Sequence, residues 1–182
     1  MKYFEQLDKD LIRRLEHVKL LLLDVDGVLT DGRIVMDNHG GEIKHFDVRD
    51  GHGLKMLIQL GIDVVLVTGR TSEIVVHRAK DLGIKEVHQG IWNKLGIFDD
   101  VLARRGLQPE EAAYIGDDIV DVPIMRRAGV SLTVADASEH VREFADYVAR
   151  NRGGRGAVRE ICEMILMAKG LWRDIALRYE LG

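Results

Sequence analysis

Apolar residues along this chain fall into two alternating rhythms. Leu20–Leu23, the stretch 63–67 and Ala112–Ile115 are short, nearly unbroken apolar runs. Runs of that length and continuity fit strands buried on both faces of a sheet. Two further strands are predicted at 130–134 and 146–148, and a shorter one at 86–88. Between them the spacing predicts helices over 53–60, 72–82, 94–105, 119–127 and 138–143. An N-terminal helix over 3–17 carries Phe4, Leu7, Leu11 and Leu15 at roughly helical spacing. A C-terminal helix begins near Gly156, with Val158, Ile161, Cys162, Ile165 and Leu166 on one face, and amphipathic character continues to about Tyr179. Strands alternating with helices predict βαβ units, hence an α/β fold with a doubly wound parallel sheet. One stretch breaks the alternation. Arg33–Met36 and Glu42–Phe46 flank Asn38-His39-Gly40-Gly41, the chemistry of a hairpin turn, so a small β-hairpin insert is expected there.

Composition narrows the picture in a few places. With 182 residues the chain suits one domain over 1–182, and it buries enough surface for a core without disulfide staples. The 33–46 hairpin reads as a flap on that domain, and 152–182 as a C-terminal tail and helix. The net charge of −4 argues against nucleic acid or an acidic membrane surface as partner. Cys162 is the sole cysteine, so no internal disulfide forms. No apolar run is long enough to span a bilayer, and the charged N-terminus lacks a signal-peptide core, so a cytoplasmic protein is expected. The seven histidines have no partners at zinc-ligand spacing.

The chemistry gathers where strands end. Asp24-Val25-Asp26-Gly27 follows the first apolar run directly. Side chains alternate along a strand, so Asp24 and Asp26 start on one side, and Gly27 lets the chain turn close to a ligand. Two near carboxylates repel unless a cation separates them, and hard oxygen donors suit Mg²⁺. Thr68-Gly69-Arg70 closes the second run, Gly116-Asp117-Asp118 the third with Asp121 close behind, and Lys94 opens a helix. In a doubly wound sheet these ends share one crevice. Each residue also has a plainer reading: Thr68 as a turn cap, Lys94 as a solvated helix residue, Asp118 and Asp121 as acidic helix N-terminal residues. Their joint occurrence in this order favours a phosphoryl-transfer site.

That order resembles the haloacid dehalogenase superfamily of aspartate-nucleophile phosphatases, over nearly the whole chain. The resemblance rests on Asp24-Val-Asp-Gly-Val-Leu-Thr-Asp-Gly32, Phe46-Asp-Val-Arg-Asp-Gly51, Thr68-Gly-Arg70, Tyr114-Ile-Gly-Asp-Asp118 and Arg152-Gly-Gly-Arg-Gly-Ala-Val-Arg-Glu160. It implies a Rossmann-like sheet and a homotetramer in which hairpins pack together. No large cap domain fits between Thr30 and Thr68, and neighbouring chains would cover the open site. It implies Asp24 as nucleophile, the Asp26 side chain as general acid and base, and Lys94 as stabiliser of charge. Mg²⁺ would be held by Asp24, the Asp26 carbonyl and Asp117, and phosphate by Thr68 and Gly69. The substrate would be a sugar-acid phosphate whose carboxylate meets Arg70 and Arg49. Arg70 favours an octulosonate over a nonulosonate, whose phosphatases tend to carry an acidic residue after Thr-Gly. A receiver-type signalling switch uses similar residues with an adjacent acid pair and a phospho-acceptor on a later strand; a phosphomutase would carry a cap.

Overall fold

The computed structural model describes residues 4–181; Tyr3, the first residue of the expected N-terminal helix, lies outside them. The chain opens with a 3₁₀ turn (Phe4–Gln6) and helix α1 (Lys9–His17), which Asp8 caps by accepting from the Asp10 N–H at 2.7 Å. Strand β1 (Leu20–Leu23) follows, with all four leucines fully buried. A two-stranded antiparallel hairpin, β2 (Val35–Met36) and β3 (Glu42–Ile43), then precedes α2 (Val48–Gln59). From there the alternation is regular: β4 (Asp63–Val67), α3 (Glu73–Leu82), β5 (Glu86–His88), α4 (Lys94–Arg105), β6 (Ala112–Ile115), α5 (Val122–Met125), β7 (Val130–Thr133), α6 (Glu139–Arg142) and β8 (Tyr147–Val148). Helices α7 (Ala157–Ala168) and α8 (Trp172–Arg178) close the chain.

The strands form one parallel sheet in the order β5-β4-β1-β6-β7-β8. The chain winds outward from β1 through β4 to β5, then returns to β1's other side with β6. That reversal puts a switch point at the carboxyl end of β1, where doubly wound sheets bind ligands. Leu20 sits opposite both Asp63 and Ala112, so β1, β4 and β6 run in step and end together. The Asp24 N–H donates to the Ile115 carbonyl at 3.0 Å and extends the pairing by one residue. Among the described residues, no helix is long and apolar enough to cross a membrane.

The bounds of several helices change: among the described residues the N-terminal one begins at Lys9, and the one expected over 119–127 is a 3₁₀ turn (Ile119–Asp121) followed by α5. The helix predicted from residue 53 starts at Val48, capped by Asp47 accepting from the Arg49 N–H at 2.7 Å. Gly51 and Gly53 both lie inside that helix. A Cβ on Gly53 would come within 3.2 Å of the Arg159 backbone and the Cys162 Cβ, so glycine here lets α2 and α7 approach closely. The helix expected from about Gly156 is present as α7, and the apolar face predicted for it is buried: Val158, Ile161, Cys162, Met164, Ile165 and Leu166 are completely buried. Just before them, the Gly154 N–H donates to the Val28 carbonyl at 2.9 Å, and a Cβ on Gly153 would collide with the Gly27 carbonyl. The glycine-rich stretch is thus docked against the turn after β1 of its own chain, and its glycines are required by that contact.

Candidate active site

The ends of β1, β4 and β6 and the start of α4 enclose a cleft of about 300 Å³ lined by Asp24, Asp26, Thr68, Arg70, Lys94 and Asp117, among others. Every residue expected there on superfamily grounds is in it except Arg49. Arg49 lies in the first turn of α2, with its guanidinium 2.7 Å from Asp47 and 3.5 Å from the Arg155 carbonyl. It lines a different, larger pocket with Asp31, Arg33 and His45 and is not among the residues lining the cleft beside Asp24. Helix α2 begins earlier than expected, and that start ties Arg49 to its own cap.

Asp24 is buried. One carboxylate oxygen accepts from the Val25 N–H at 2.7 Å, and the other lies 3.0 Å from Lys94 Nζ. Lys94, only 2% exposed, bridges from Asp24 to Asp121, 2.6 Å away. Burial alone would push its ammonium toward neutrality, but the two carboxylates outweigh that and hold its pKa above the ordinary value. The expectation that Lys94 faces Asp24 holds here, against the reading of a solvated helix residue.

Asp121 is fully buried and saturated. Its Oδ1 accepts from Lys94 and from the Tyr114 hydroxyl at 2.5 Å; its Oδ2 accepts from the N–H groups of Asp117 and Asp118 at 3.0 and 3.2 Å. It therefore fixes both Lys94 and the turn carrying Asp117. Asp118 is exposed and caps the short turn Ile119–Asp121, accepting from the Ile119 N–H at 2.7 Å.

Asp117 is the opposite of Asp121. Its Oδ1 is buried with no hydrogen-bond partner. Burial, reinforced by the negative charge of Asp24 and Asp121, pushes its pKa up to about 8, and burial raises Asp24 to about 6 against the pull of Lys94. Ligand oxygens of Asp24, Asp117 and Asp121 lie within 4.8 Å of one another. A buried, unpartnered carboxylate oxygen among other carboxylates fits a divalent cation, and an all-oxygen donor set suits Mg²⁺. With Asp121 already committed to four donors, Asp24 and Asp117 are the side chains free to hold it. Gly27 is essential to this geometry. Its φ of +93° suits glycine alone, and a Cβ there would collide with Asp117 Oδ2.

Thr68 is buried at the end of β4, where its hydroxyl accepts from the Arg70 N–H at 3.3 Å. Arg70 leans back to the hairpin, 3.0 Å from Glu42. The Lys44 ammonium pairs with Asp26 Oδ1 and lies 3.2 Å from Glu42. Sequence reasoning passed over Glu42 and Lys44 as ordinary hairpin residues. Their alternation with Ile43 was the available signal: it puts both charges on one face of the strand and the apolar residue on the other. Asp50 and Glu160 were also missed. Asp50 accepts from the N–H groups of Gly156 and Arg159 at 3.2 and 2.8 Å, and Glu160 gathers the Tyr147 hydroxyl, both Asn151 donors and the Arg150 backbone. Together they anchor the stretch that leads into the docked glycines.

Comparison with known proteins agrees with this arrangement. A haloacid dehalogenase-like hydrolase model matches residues 44–129. The chain is 48% identical to the 3-deoxy-D-manno-octulosonate 8-phosphate phosphatase of Escherichia coli K12, over 88% of this chain and 86% of that one. Among solved structures, the phosphatase of that name from Moraxella catarrhalis, in complex with magnesium ion, phosphate ion and KDO, superposes with a TM-score of 0.92 at 39% identity, over 93% of this chain and 98% of that one. A cobalt-bound deoxy-D-mannose-octulosonate 8-phosphate phosphatase from Haemophilus influenzae superposes with a TM-score of 0.83 at 45% identity, over 86% and 92%. With relatives this similar along nearly its whole length, and with the strand-end carboxylates in place, the chain belongs to the haloacid dehalogenase-like hydrolases, in the branch of the 3-deoxy-D-manno-octulosonate 8-phosphate phosphatases.

Proposed function

We propose that this chain hydrolyses 3-deoxy-D-manno-octulosonate 8-phosphate to the free sugar acid and phosphate, with Mg²⁺ as cofactor. The observation that carries the reaction type is Asp24, ionised beside Lys94 at 3.0 Å and facing the unpartnered carboxylate of Asp117. Phosphate monoesters repel nucleophiles, so a site for them must supply positive charge and aligned donors. Asp24, Asp117 and the Asp26 carbonyl would hold the cation. When bound, it neutralises charge so that a carboxylate can approach a phosphoryl group. Asp24 attacks phosphorus as the bond from phosphorus to the sugar oxygen breaks, and carries the phosphoryl group as an acyl phosphate. The Asp26 side chain protonates the departing alkoxide and then takes a proton from the attacking water. Lys94 holds Asp24 ionised, and Thr68 with the Gly69 N–H binds phosphoryl oxygens. Arg70 pairs with the sugar-acid carboxylate, exchanging Glu42 for it.

The octulosonate assignment is supported by the relatives' names and by Arg70 after Thr68-Gly69. We propose further that the chain works as a homotetramer in the cytoplasm, its cleft covered by neighbouring copies. The absence of any inserted domain between Thr30 and Thr68 other than the hairpin and α2 supports that reading, and the buried, unpaired Cys162 is consistent with a reducing compartment.

The test is a phosphate-release panel with and without Mg²⁺, comparing the octulosonate 8-phosphate, a nonulosonate 9-phosphate and glucose 6-phosphate by kcat/KM. The octulosonate is expected to lead. A lead for glucose 6-phosphate rejects the sugar-acid reading, and a lead for the nonulosonate moves the chain to another pathway with the same chemistry. Asp24→Asn is expected to lose at least ~10³-fold in rate, on the order of 4 kcal/mol of barrier. Phosphorylation of the chain without turnover would instead favour a signalling switch.

A further inference from the structure

Four charged side chains at the cleft form a closed ring of alternating sign. Asp26 pairs with Lys44, Lys44 lies 3.2 Å from Glu42, Glu42 lies 3.0 Å from Arg70, and Arg70 Nε returns to 3.8 Å from Asp26 Oδ2. The ring joins three separate pieces of chain: the turn after β1, the turn after β4, and the hairpin, which contributes both Glu42 and Lys44. The Lys44 side chain is 1% exposed although it stands on a hairpin whose other face is open to solvent. A lysine seldom gives up its hydration so fully on a two-stranded flap without a buried counter-charge to meet.

The two oxygens of Asp26 are treated unequally. Lys44 takes Oδ1. Oδ2 is buried with no hydrogen-bond partner, since Arg70 at 3.8 Å is beyond hydrogen-bond reach. Pinning one oxygen fixes the rotation of the carboxyl and leaves the other free to handle a proton. Resting on the phosphatase reading above, we propose that Lys44 is a positioning residue that aims Asp26 Oδ2 at the leaving-group oxygen, so that the hairpin is part of the acid's own support. In that step an Asp24 oxygen forms a bond to phosphorus and the bond from phosphorus to the alkoxy oxygen breaks. Its electron pair stays on that oxygen, which takes the proton from Asp26 Oδ2. A well-aimed acid gains most where the leaving group is a poor one.

This separates two kinds of substrate. An alkyl phosphate, such as the sugar-acid phosphate, leaves as a strongly basic alkoxide and needs the acid. p-Nitrophenyl phosphate leaves as a stabilised phenolate and does not. The experiment measures kcat/KM, which covers the steps through release of the first product, for both substrates with Lys44→Met, Lys44→Arg and the parent chain in Mg²⁺. Lys44→Met is expected to lose roughly 30-fold or more on the alkyl phosphate while p-nitrophenyl phosphate stays within about threefold. Lys44→Arg, which keeps the charge, is expected to recover part of the loss. Asp26→Asn is expected to show the same substrate split, and adding Lys44→Met to it to cost little more, as for two residues acting as one unit. Equal losses on both substrates would make Lys44 a merely structural residue and overturn the inference, as would no loss on either. In both cases the parent remains an active phosphatase. A parent chain inactive on both substrates would instead bring down the phosphatase reading itself, and this inference with it.

Discussion

Asp117 is where the ligand-free site stores its cost. Its buried Oδ1 has no donor, and its pKa is pushed up to about 8 by burial and by the facing carboxylates. A carboxyl whose folded pKa exceeds its unfolded value supports the fold fully below the unfolded pKa, and that support is lost as pH rises through the folded one. Without a cation the chain is therefore expected to melt at lower temperature at pH 8 than at pH 5. Mg²⁺ should restore the difference, because a ligand bound only to the folded state stabilises it by mass action. Asp117→Asn removes the charge, so the metal-free variant is expected to be more stable than the parent at pH 8, by on the order of 1–3 kcal/mol, and to gain little from Mg²⁺. Thermal melts at the two pH values, with chelator and with Mg²⁺, check this. A parent chain with flat stability across the range would mean that Asp117 has donors in solution that the structure does not show. Gly27 makes the complementary point. Gly27→Ala must either strain a φ of +93° or push Asp117 aside. It is expected to destabilise by roughly 1–3 kcal/mol and to weaken Mg²⁺ binding in calorimetry. The pattern Asp-x-Asp-Gly made this glycine legible, because a sharp turn after a strand calls for it. Saturation of Asp121 was not legible, since only the fold shows that Lys94, Tyr114 and two backbone N–H groups converge on one carboxylate.

At the level of elements, a single buried glutamate organises the run into α7. Glu160 accepts from the Tyr147 hydroxyl at 2.6 Å, from Asn151 Nδ2 at 2.6 Å, from the Arg150 N–H at 3.1 Å and from Arg150 Nε at 3.2 Å. Burial would raise its pKa, but these donors outweigh burial and hold it below the ordinary carboxylate value. Removing it takes a shared acceptor from several donors at once. Glu160→Ala is expected to cost about 2–4 kcal/mol in chemical denaturation and to loosen residues 150–156, detectable as faster amide exchange there. Since Gly153 and Gly154 press against the turn carrying Gly27, Mg²⁺ affinity should fall with it. A variant with unchanged exchange at 150–156 would show that the glycine contact alone holds the stretch. The strands were legible almost to the residue, because an apolar run of four or five has few other ways to be buried. The start of α2 was not: it begins at Val48, ahead of Gly51, and the close neighbours that explain Gly51 and Gly53 appear only in the fold. The docking of the glycine-rich stretch was not legible for a related reason. Arg152 to Gly156 is the composition of a free loop, and only its docking against Gly27 and Thr30 gives those glycines a structural reason.

For the whole molecule, the hairpin poses an uneven balance. Its inner face carries the buried Lys44 and half-buried Glu42, while the opposite face exposes Val35 (39%) and Ile43 (54%), which the register pairs with each other. Apolar side chains grouped at one place on a surface are a usual sign of an interface. A two-stranded ribbon is also marginal by itself in water. Packing of hairpins between copies would cover these residues and brace the ribbon. It would also hold Lys44 against Asp26, which links assembly to catalysis through a named contact rather than through bulk exclusion of water. The cleft itself is open, with Trp92 80% exposed at its lip, so a neighbouring copy could line it without displacing anything in the core. A closed oligomer with symmetric interfaces is the expected form, a tetramer by resemblance to the family. The double substitution Val35→Lys with Ile43→Lys changes only the outer face. It is expected to reduce the solution mass measured by light scattering and to leave the melting of the α/β core nearly unchanged. It should also lower kcat/KM on the alkyl phosphate more than on p-nitrophenyl phosphate, the same split expected of Lys44→Met. If the parent chain is already monomeric at working concentration and fully active, the hairpin aims Asp26 without a neighbour. If the variant dissociates with both substrates equally affected, assembly acts through some contact other than Lys44.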